Sequence, residues 1–377
     1  MSEERQQVLF RKAQAEAEKA SWLFTAPNPR VGAIALLRGH VVGRGFHAHF
    51  GGPHAEEMAL RDAGAWCSET QQPIPGNVDE IVVTLEPCSA QTPSKKRTPC
   101  VDLLLKAGIK KVTYGLADPN ALQAGAAKRL EAEGVQVESL KETPCFHRLN
   151  PAFLRSLDSP CRPWIFLKWA ASLDGKMATS AGVSQWITGP EARKEVHQLR
   201  ALSDAILVGK TTLAEDNPSL TARSLSAFDG QPLRVLLDPP AALSAQANIF
   251  MTDAPRLWVL DDQGQEVGPW PEEDAVLRVP RISGNLCLTT LVQELTSQFS
   301  VRRLMVEGGA KVHGSFLAAG LVDAIVRYEA PILLGGSRCA TDGPSFSSPQ
   351  DALSLISEER KILDKDVRRA LCVSPTP

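Results

Sequence analysis

Ile81-Val82-Val83-Thr84-Leu85-Glu86-Pro87-Cys88 is a β-branched, apolar run that stops at a proline and delivers a cysteine. Its first five residues form a compact strand, because β-branched side chains favour the pleat and proline cannot continue a ladder. Downstream, Val101 to Ala107 reads as a helix, Lys111 to Gly115 as a strand, Ala121 to Glu133 as a helix and Val135 to Leu140 as a strand. Upstream, Glu3 to Trp22 is rich in Ala, Glu, Gln and Lys and reads as a helix, which Pro27 and Pro29 close. Val31 to Leu37 and Val41 to Phe46 are strands joined by a turn at Arg38-Gly39-His40, and His54 to Gly64 is a helix. Strands alternating with helices mean a sheet covered by helices, an α/β domain.

Pro144, Pro151, Pro160 and Pro163 interrupt the next stretch, with a helical turn near Ala152 to Leu157. The expected division is a first domain over 1–145, a linker over 146–163 and a second domain over 164–377. The second domain again alternates. Trp164–Ala170, Ala205–Val208, Leu233–Leu237, Arg256–Leu260, Ala275–Val279, Arg303–Val306 and Asp323–Ala330 read as strands. Pro190–Ala201, Leu288–Phe299 and His313–Ala319 read as helices, and Ser374 to Pro377 as a frayed tail. The fold class is α/β in two domains.

A chain of 377 residues exceeds one ordinary core, which agrees with two domains. The formal net charge of −2 provides no bulk attraction to nucleic acid or to an anionic membrane. A small phosphorylated ligand needs only a few local cations and stays compatible. No secretory signal is visible at the N-terminus, so the expected location is cytoplasmic. Eight cysteines in a reducing compartment are expected to be thiols. Cys67, Cys145, Cys161, Cys287, Cys339 and Cys372 stand alone and read as ordinary small residues.

Three pieces carry metal chemistry: His54-Ala55-Glu56, Pro87-Cys88, and Cys100. A hydrolytic zinc site needs two or three imidazole or thiolate ligands and an open position for water, whose pKa then falls to about 7. A separate carboxylate must carry protons from that water to the leaving amine without ligating the metal. The arrangement is that of zinc deaminases, which act on an amino-substituted base. His54 and Cys100 both sit at helix starts, where exposed N–H groups favour thiolate. A lone His-Ala-Glu occurs often by chance; the strand followed by Pro-Cys and a second Cys at a helix start gives it meaning. Ser89 to Pro99 must loop out, with Lys95-Lys96-Arg97 read as its solvated tip.

These residues resemble a known family. Ala26-Pro27-Asn28-Pro29-Arg30-Val31-Gly32, His54-Ala55-Glu56, Thr84-Leu85-Glu86-Pro87-Cys88-Ser89 and Thr98-Pro99-Cys100 are similar to the deaminase half of the bifunctional riboflavin-biosynthesis deaminase/reductases. The second domain matches through Lys168, Ser172-Leu173-Asp174-Gly175-Lys176, Ser184-Gln185-Trp186-Ile187-Thr188-Gly189 and His197-Gln198-Leu199-Arg200. Asp216-Asn217-Pro218-Ser219-Leu220-Thr221-Ala222-Arg223 and Val306-Glu307-Gly308-Gly309 continue the match.

The resemblance implies a cytidine-deaminase-like α/β/α domain followed by a dihydrofolate-reductase-like α/β domain. It implies deamination of a diaminopyrimidinone bearing a phosphoribosylamino group, then reduction of the ribosyl to a ribityl chain with NADPH. By the same resemblance His54, Cys88 and Cys100 would hold Zn²⁺, Glu56 would shuttle protons, and Asn28 would line the pyrimidine pocket. Ala170, Trp186, Thr212, Asp216, Gly308 and Gly309 would face the nicotinamide cofactor. Ser184, Arg200, Leu220, Arg223 and Glu307 would face the substrate. Read without the family, Trp186 would be a core aromatic and Gly308-Gly309 a tight turn. The implied partner is a small phosphorylated pyrimidine, with no nucleic acid and no membrane, and the implied assembly is a dimer or tetramer.

The match departs in three places. Ala90-Gln91 and an extended loop follow Cys88-Ser89, Asp118-Pro119-Asn120 leads into an altered stretch, and Asp238-Pro239-Pro240 replaces a more usual Asp-Ser. These departures keep an alternative open, a reductase whose deaminase domain has decayed into a scaffold. A nucleic-acid deaminase would need a basic face and stacking aromatics, which the charge and the few Tyr disfavour.

Overall fold

The computed structural model describes residues 3–90, 97–141, 144–159, 161–223, 230–237, 244, 246–263 and 274–374. The chain forms two compact units, Met1–Leu157 and Asp158–Pro377.

The first unit runs α1 (Glu3–Glu18), α2 (Trp22–Thr25), β1 (Gly32–Leu37), β2 (His40–Phe46), α3 (Ala55–Asp62), β3 (Trp66–Cys67), β4 (Gln72–Pro73) and β5 (Glu80–Leu85). It continues with α4 (Cys100–Ala107), β6 (Lys111–Leu116), α5 (Ala126–Ala132), β7 (Gln136–Ser139), α6 (Pro144–Leu149) and α7 (Pro151–Leu157). The sheet order is β2-β1-β5-β6-β7, with β5, β6 and β7 parallel and the β1–β2 hairpin antiparallel. Arg38 and Gly39 turn that hairpin, both with positive φ.

Alternation along β1 explains the three layers. Ile34 and Leu36 join Leu9, Phe10 and Ala13 of α1 on one face. Ala33 and Ala35 join Ala55, Ala59, Leu60, Val101 and Leu104 of α3 and α4 on the other. Helix α3 lies directly on β2: a Cβ on Gly45 would fall 2.3 Å from the Ala59 nitrogen. Glycine there permits the close approach that sets the start of α3 over the sheet.

The segment read as a linker, 146–163, is corrected by the structure. Phe146 and Phe153 are buried in the first unit's core, and Asn150 accepts the Arg30 N–H at 2.6 Å. Pro144 and Pro151 start two short helices, a role proline fills well at the first helical turn. The helix expected over Ala121–Glu133 begins only at Ala126, because Asn120 and Gly125 shape a turn before it.

The second unit runs β8 (Trp164–Ser172), α8 (Pro190–Ala201), β9 (Ala205–Gly209), α9 (Lys210–Asp216), β10 (Leu233–Leu237), β11 (Arg256–Asp261), β12 (Ala275–Val279), β13 (Arg281–Ile282) and β14 (Asn285–Leu286). Then come α10 (Leu288–Ser297), β15 (Arg303–Val306), α11 (Ala310–Ala318), β16 (Ala324–Ala330), β17 (Leu355–Leu363) and β18 (Asp366–Val373). Its main sheet has the order β12-β11-β10-β9-β15-β8-β16-β18-β17. In that order the seven strands from β12 at one edge to β16 are parallel, β18 and β17 add antiparallel, and β13 and β14 form a separate antiparallel hairpin. Ile165, Leu167, Ala205, Leu207, Val235 and Leu304 form one core face, while Phe166, Ile206 and Met305 are buried on the other. Sandwiched strands of this kind read as continuous apolar runs.

The sequence reading contains no strand after Ala330, yet β17 and β18 form the sheet's last hairpin. Their charges mask the alternation. Cross-strand pairs absorb those charges, Arg369 with Glu358 at 2.6 Å and Arg368 with Glu359 at 2.5 Å.

Candidate active sites

In the first unit the metal constellation comes together. His54 caps the N-terminus of α3, Cys100 opens α4, and Cys88 follows the end of β5. His54 Nδ1 lies 3.2 Å from Cys100 Sγ and 3.5 Å from Cys88 Sγ. The three ligand atoms all lie within 4.8 Å of one another. A tetrahedral zinc with ordinary bond lengths holds its N and S ligands about 3.6 Å apart, so the donor set and spacing fit that ion. The Cys100 N–H also donates to Cys88 Sγ at 3.2 Å, which favours the thiolate.

Glu56 sits in the first turn of α3, 3% exposed. Burial pushes its carboxyl above the ordinary glutamate value; the Cys88 sulfur adds to this, while His54 opposes it. Its carboxylate reaches Cys100 without belonging to the three-residue cluster. A buried carboxyl of raised pKa beside a metal pocket suits proton transfer near neutrality.

Asn28 is joined to the site through a residue that the sequence reading passed over. Asn28 Nδ2 lies 3.3 Å from His47 Nε2, and His47 Nδ1 lies 2.9 Å from the Pro53 carbonyl. Burial, aided by His54, lowers the His47 pKa to about 3. The neutral ring therefore donates from Nδ1 and accepts the Asn28 amide at Nε2. The signal in the sequence was weak, a single His just past the end of a strand.

Glu86 was read only as part of a motif. It is buried and accepts the N–H groups of Asp118, Gly125 and Ala127 at 3.1–3.2 Å. It thereby fastens the altered 118–127 stretch beside Cys88. In Glu86→Gln the amide NH₂ would face donors in place of acceptors. Such a buried mismatch costs about 1–3 kcal/mol, and urea unfolding of the first unit, followed by a unit-specific probe, measures the loss. A midpoint unchanged from wild type would remove this role.

The loop after Cys88 differs in part from its reading. Arg97 is not at a solvated tip: Nη2 lies 2.6 Å and 2.8 Å from the two carboxylate oxygens of buried Glu57. Lys95 and Lys96 lie outside the described residues.

In the second unit, one cavity of about 1820 Å³ gathers every expected residue of the reductase half. Ala170 on β8, Thr212 and Asp216 on α9, and Gly308-Gly309 between β15 and α11 line it. So do Trp186, Ser184, Arg200, Leu220, Arg223 and Glu307. The volume exceeds the about 300–1,000 Å³ of a single-ligand pocket, so it has room for two ligands. Trp186 is 70% exposed, which excludes its reading as a core aromatic; the Arg193 guanidinium lies 4.5 Å above its ring. Ser184 Oγ donates to Asp216 at 2.8 Å.

Glu307, the residue after β15, is the anionic partner of two cavity cations. Arg200 Nε reaches it at 2.6 Å and Nη2 at 3.0 Å, and Lys168 Nζ at 3.2 Å. Burial alone would raise the Glu307 pKa, but Arg200 and then Lys168 reverse this and hold it well below the usual carboxylate range. The glycines after it are packed tightly: a Cβ on Gly308 would fall 2.6 Å from Val312 Cβ. That leaves backbone N–H groups at the start of α11 open to a pyrophosphate, which fits a dinucleotide.

Comparison with known proteins agrees with both halves. Residues 3–116 match the cytidine and deoxycytidylate deaminase zinc-binding region, and residues 163–367 match the RibD C-terminal domain. The riboflavin biosynthesis protein RibD of Bacillus amyloliquefaciens is 37% identical over 335 residues, covering 88% of this chain and 86% of that protein. RibD of Escherichia coli K12 is 36% identical over 359 residues, covering 91% and 93%. The structure of Acinetobacter baumannii RibD aligns with a TM-score of 0.71 at 33% identity, covering 99% of each chain. With a deaminase zinc-binding region and a reductase domain joined in this order, the chain belongs to the RibD family of bifunctional deaminase/reductases.

Proposed function

We propose that the chain catalyses two successive steps of riboflavin biosynthesis. The first unit removes an amino group from a diaminopyrimidinone carrying a phosphoribosylamino group. The second reduces the ribosyl of the resulting aminouracil to ribityl with NADPH. The observation that carries this reading is the juxtaposition of His54, Cys88 and Cys100 beside buried Glu56.

His54, Cys88 and Cys100 would hold zinc, which when bound supplies an acidified water as nucleophile. The Glu56 carboxylate takes a proton from that water and returns it to the departing amine. Asn28, oriented by neutral His47, presents its amide to the pyrimidine. In the second unit Gly308 and Gly309 would receive the cofactor's pyrophosphate, and Ala170, Trp186, Thr212 and Asp216 would border its nicotinamide half; when bound, NADPH would supply the hydride. Ionised Glu307 keeps Arg200 and Lys168 fixed as N–H donors towards the ribosyl group, with Arg223, Ser184 and Leu220 completing that wall. The intact donor set disfavours a decayed deaminase half.

Cys88→Ala is expected to purify with little zinc and to release no ammonia from the diaminopyrimidinone. Given the aminouracil intermediate directly, it should still oxidise NADPH near the wild-type rate. Metal analysis with the two assays checks this, and ammonia release from the zinc-free variant refutes the hydrolytic role. The chain is further proposed to act in the cytoplasm as a dimer or tetramer, on the strength of the family resemblance; sedimentation tests the assembly.

A further inference from the structure

The reductase cavity extends well past the glycine turn, and among the described residues its far end holds a single charged side chain, Arg281. The sheet order puts β8, β15, β9, β10 and β11 side by side with their C-terminal ends on one edge. Lys168 on β8 and Glu307 after β15 line the cavity on one side of β9, with Gly308-Gly309 beside them. Leu237, the last residue of β10, continues the wall, followed by the β13–β14 hairpin and the start of α10. That hairpin follows edge strand β12, yet it reaches the cavity because it folds back across β11. Asp261, the last residue of β11, accepts Arg281 Nε at 2.6 Å, and its carbonyl accepts Arg278 Nη1 at 2.9 Å. From β8 to β11 is four strand spacings, about 19 Å, comparable with an extended dinucleotide.

We infer that the Arg281 hairpin holds the adenosine end of the cofactor and that Arg281 binds its 2′-phosphate, setting the preference for NADPH over NADH. This rests on the reading of the cavity as a dinucleotide site given above. NADPH differs from NADH only in that phosphate, a dianion at the adenosine ribose. Among the described wall residues at this end (Leu237, Asn248 and 281 to 289), Arg281 alone is charged. Lys210 and Lys311 also line the cavity, but Lys210 directly follows β9 and Lys311 lies in the first turn of α11 just past Gly309, beside the N–H groups proposed to receive the pyrophosphate. Asp261 and the Gly284 carbonyl, which accepts Nη1 at 3.1 Å, fix the guanidinium plane. A planar guanidinium held in place suits a phosphate better than a mobile ammonium. Ile282, 61% exposed beside it, offers an apolar surface to the adenine.

The test is direct binding of NADP⁺ and NAD⁺ by calorimetry, alongside KM for NADPH and NADH with the aminouracil substrate. Wild type is expected to bind NADP⁺ the more tightly. Arg281→Ala should weaken NADP⁺ about tenfold or more, leave NAD⁺ within twofold, and spare ammonia release and the KM of the aminouracil. Arg281→Lys should restore part of the NADP⁺ affinity. Equal weakening of both cofactors in Arg281→Ala, or no change in either, overturns the inference. So does a wild type without preference, or a preference that disappears in Lys210→Ala or Lys311→Ala and survives in Arg281→Ala. A wild type that binds neither cofactor refutes the dinucleotide reading itself.

Discussion

Glu56→Gln is expected to lower the rate of ammonia release by about 10²–10⁴ while the protein keeps its zinc. The amide has the shape of the carboxylate but can neither accept the water's proton nor pass it to the departing amine. Retention of the metal follows from the geometry, since the ligand cluster consists of His54, Cys88 and Cys100. Burial of Glu56 strengthens the expectation. Among the described residues the metal cluster contains no carboxylate that could take over the proton transfer. Zinc content, ammonia release and NADPH oxidation with the aminouracil intermediate, measured on one preparation, separate the outcomes. Loss of ammonia release with zinc and reductase activity intact assigns Glu56 to proton transfer. Near-normal ammonia release removes it from that role, and loss of zinc makes it a ligand.

Glu307→Gln is expected to damage the second unit twice over. It leaves Arg200 and Lys168, with side chains 14% and 15% exposed, facing each other without their counter-charge. Removing one partner of a buried ionic cluster costs about 3–5 kcal/mol. The aminouracil-dependent oxidation of NADPH should fall with it, because both cations lose the group that orients them, whereas ammonia release should stay near wild type. The pH dependence gives a second readout. Glu307 in the folded chain ionises well below its ordinary value of 4.5. Its contribution to stability is therefore complete above about pH 5 and is lost as the pH falls from there towards the folded pKa. Wild type should lose stability in that acid window more steeply than Glu307→Gln. Identical acid profiles would show that Glu307 carries no stabilising charge.

Much of this was legible in the chain. The strand Ile81–Leu85, the hairpin turning at Arg38-Gly39 and the central strands of the second sheet show in apolar runs and turn residues, which are local signals. The eleven residues expected in the reductase half all line one cavity, although their contacts with cofactor or substrate are proposals. The charged last hairpin was not, because its pairs Arg369–Glu358 and Arg368–Glu359 exist only once the strands are aligned. Nor was the role of the 146–163 segment. Pro144, Pro151, Pro160 and Pro163, in and just before it, suggest a linker, but burial of Phe146 and Phe153 depends on a core built from residues far away in sequence.

The sequence by itself determined most of the central element types, the zinc-binding chemistry and the family, because residue identity and short-range periodicity carry that information. The tertiary structure alone decided that Cys88 and Cys100 meet across a long loop, that His47 orients Asn28, that Arg97 turns back onto Glu57, and that Arg281 reaches the cavity from beyond the sheet edge. Each of these is a contact between segments distant along the chain. Such contacts are fixed by how strands order in a sheet and how closely helices can lie on it, and no local pattern encodes that.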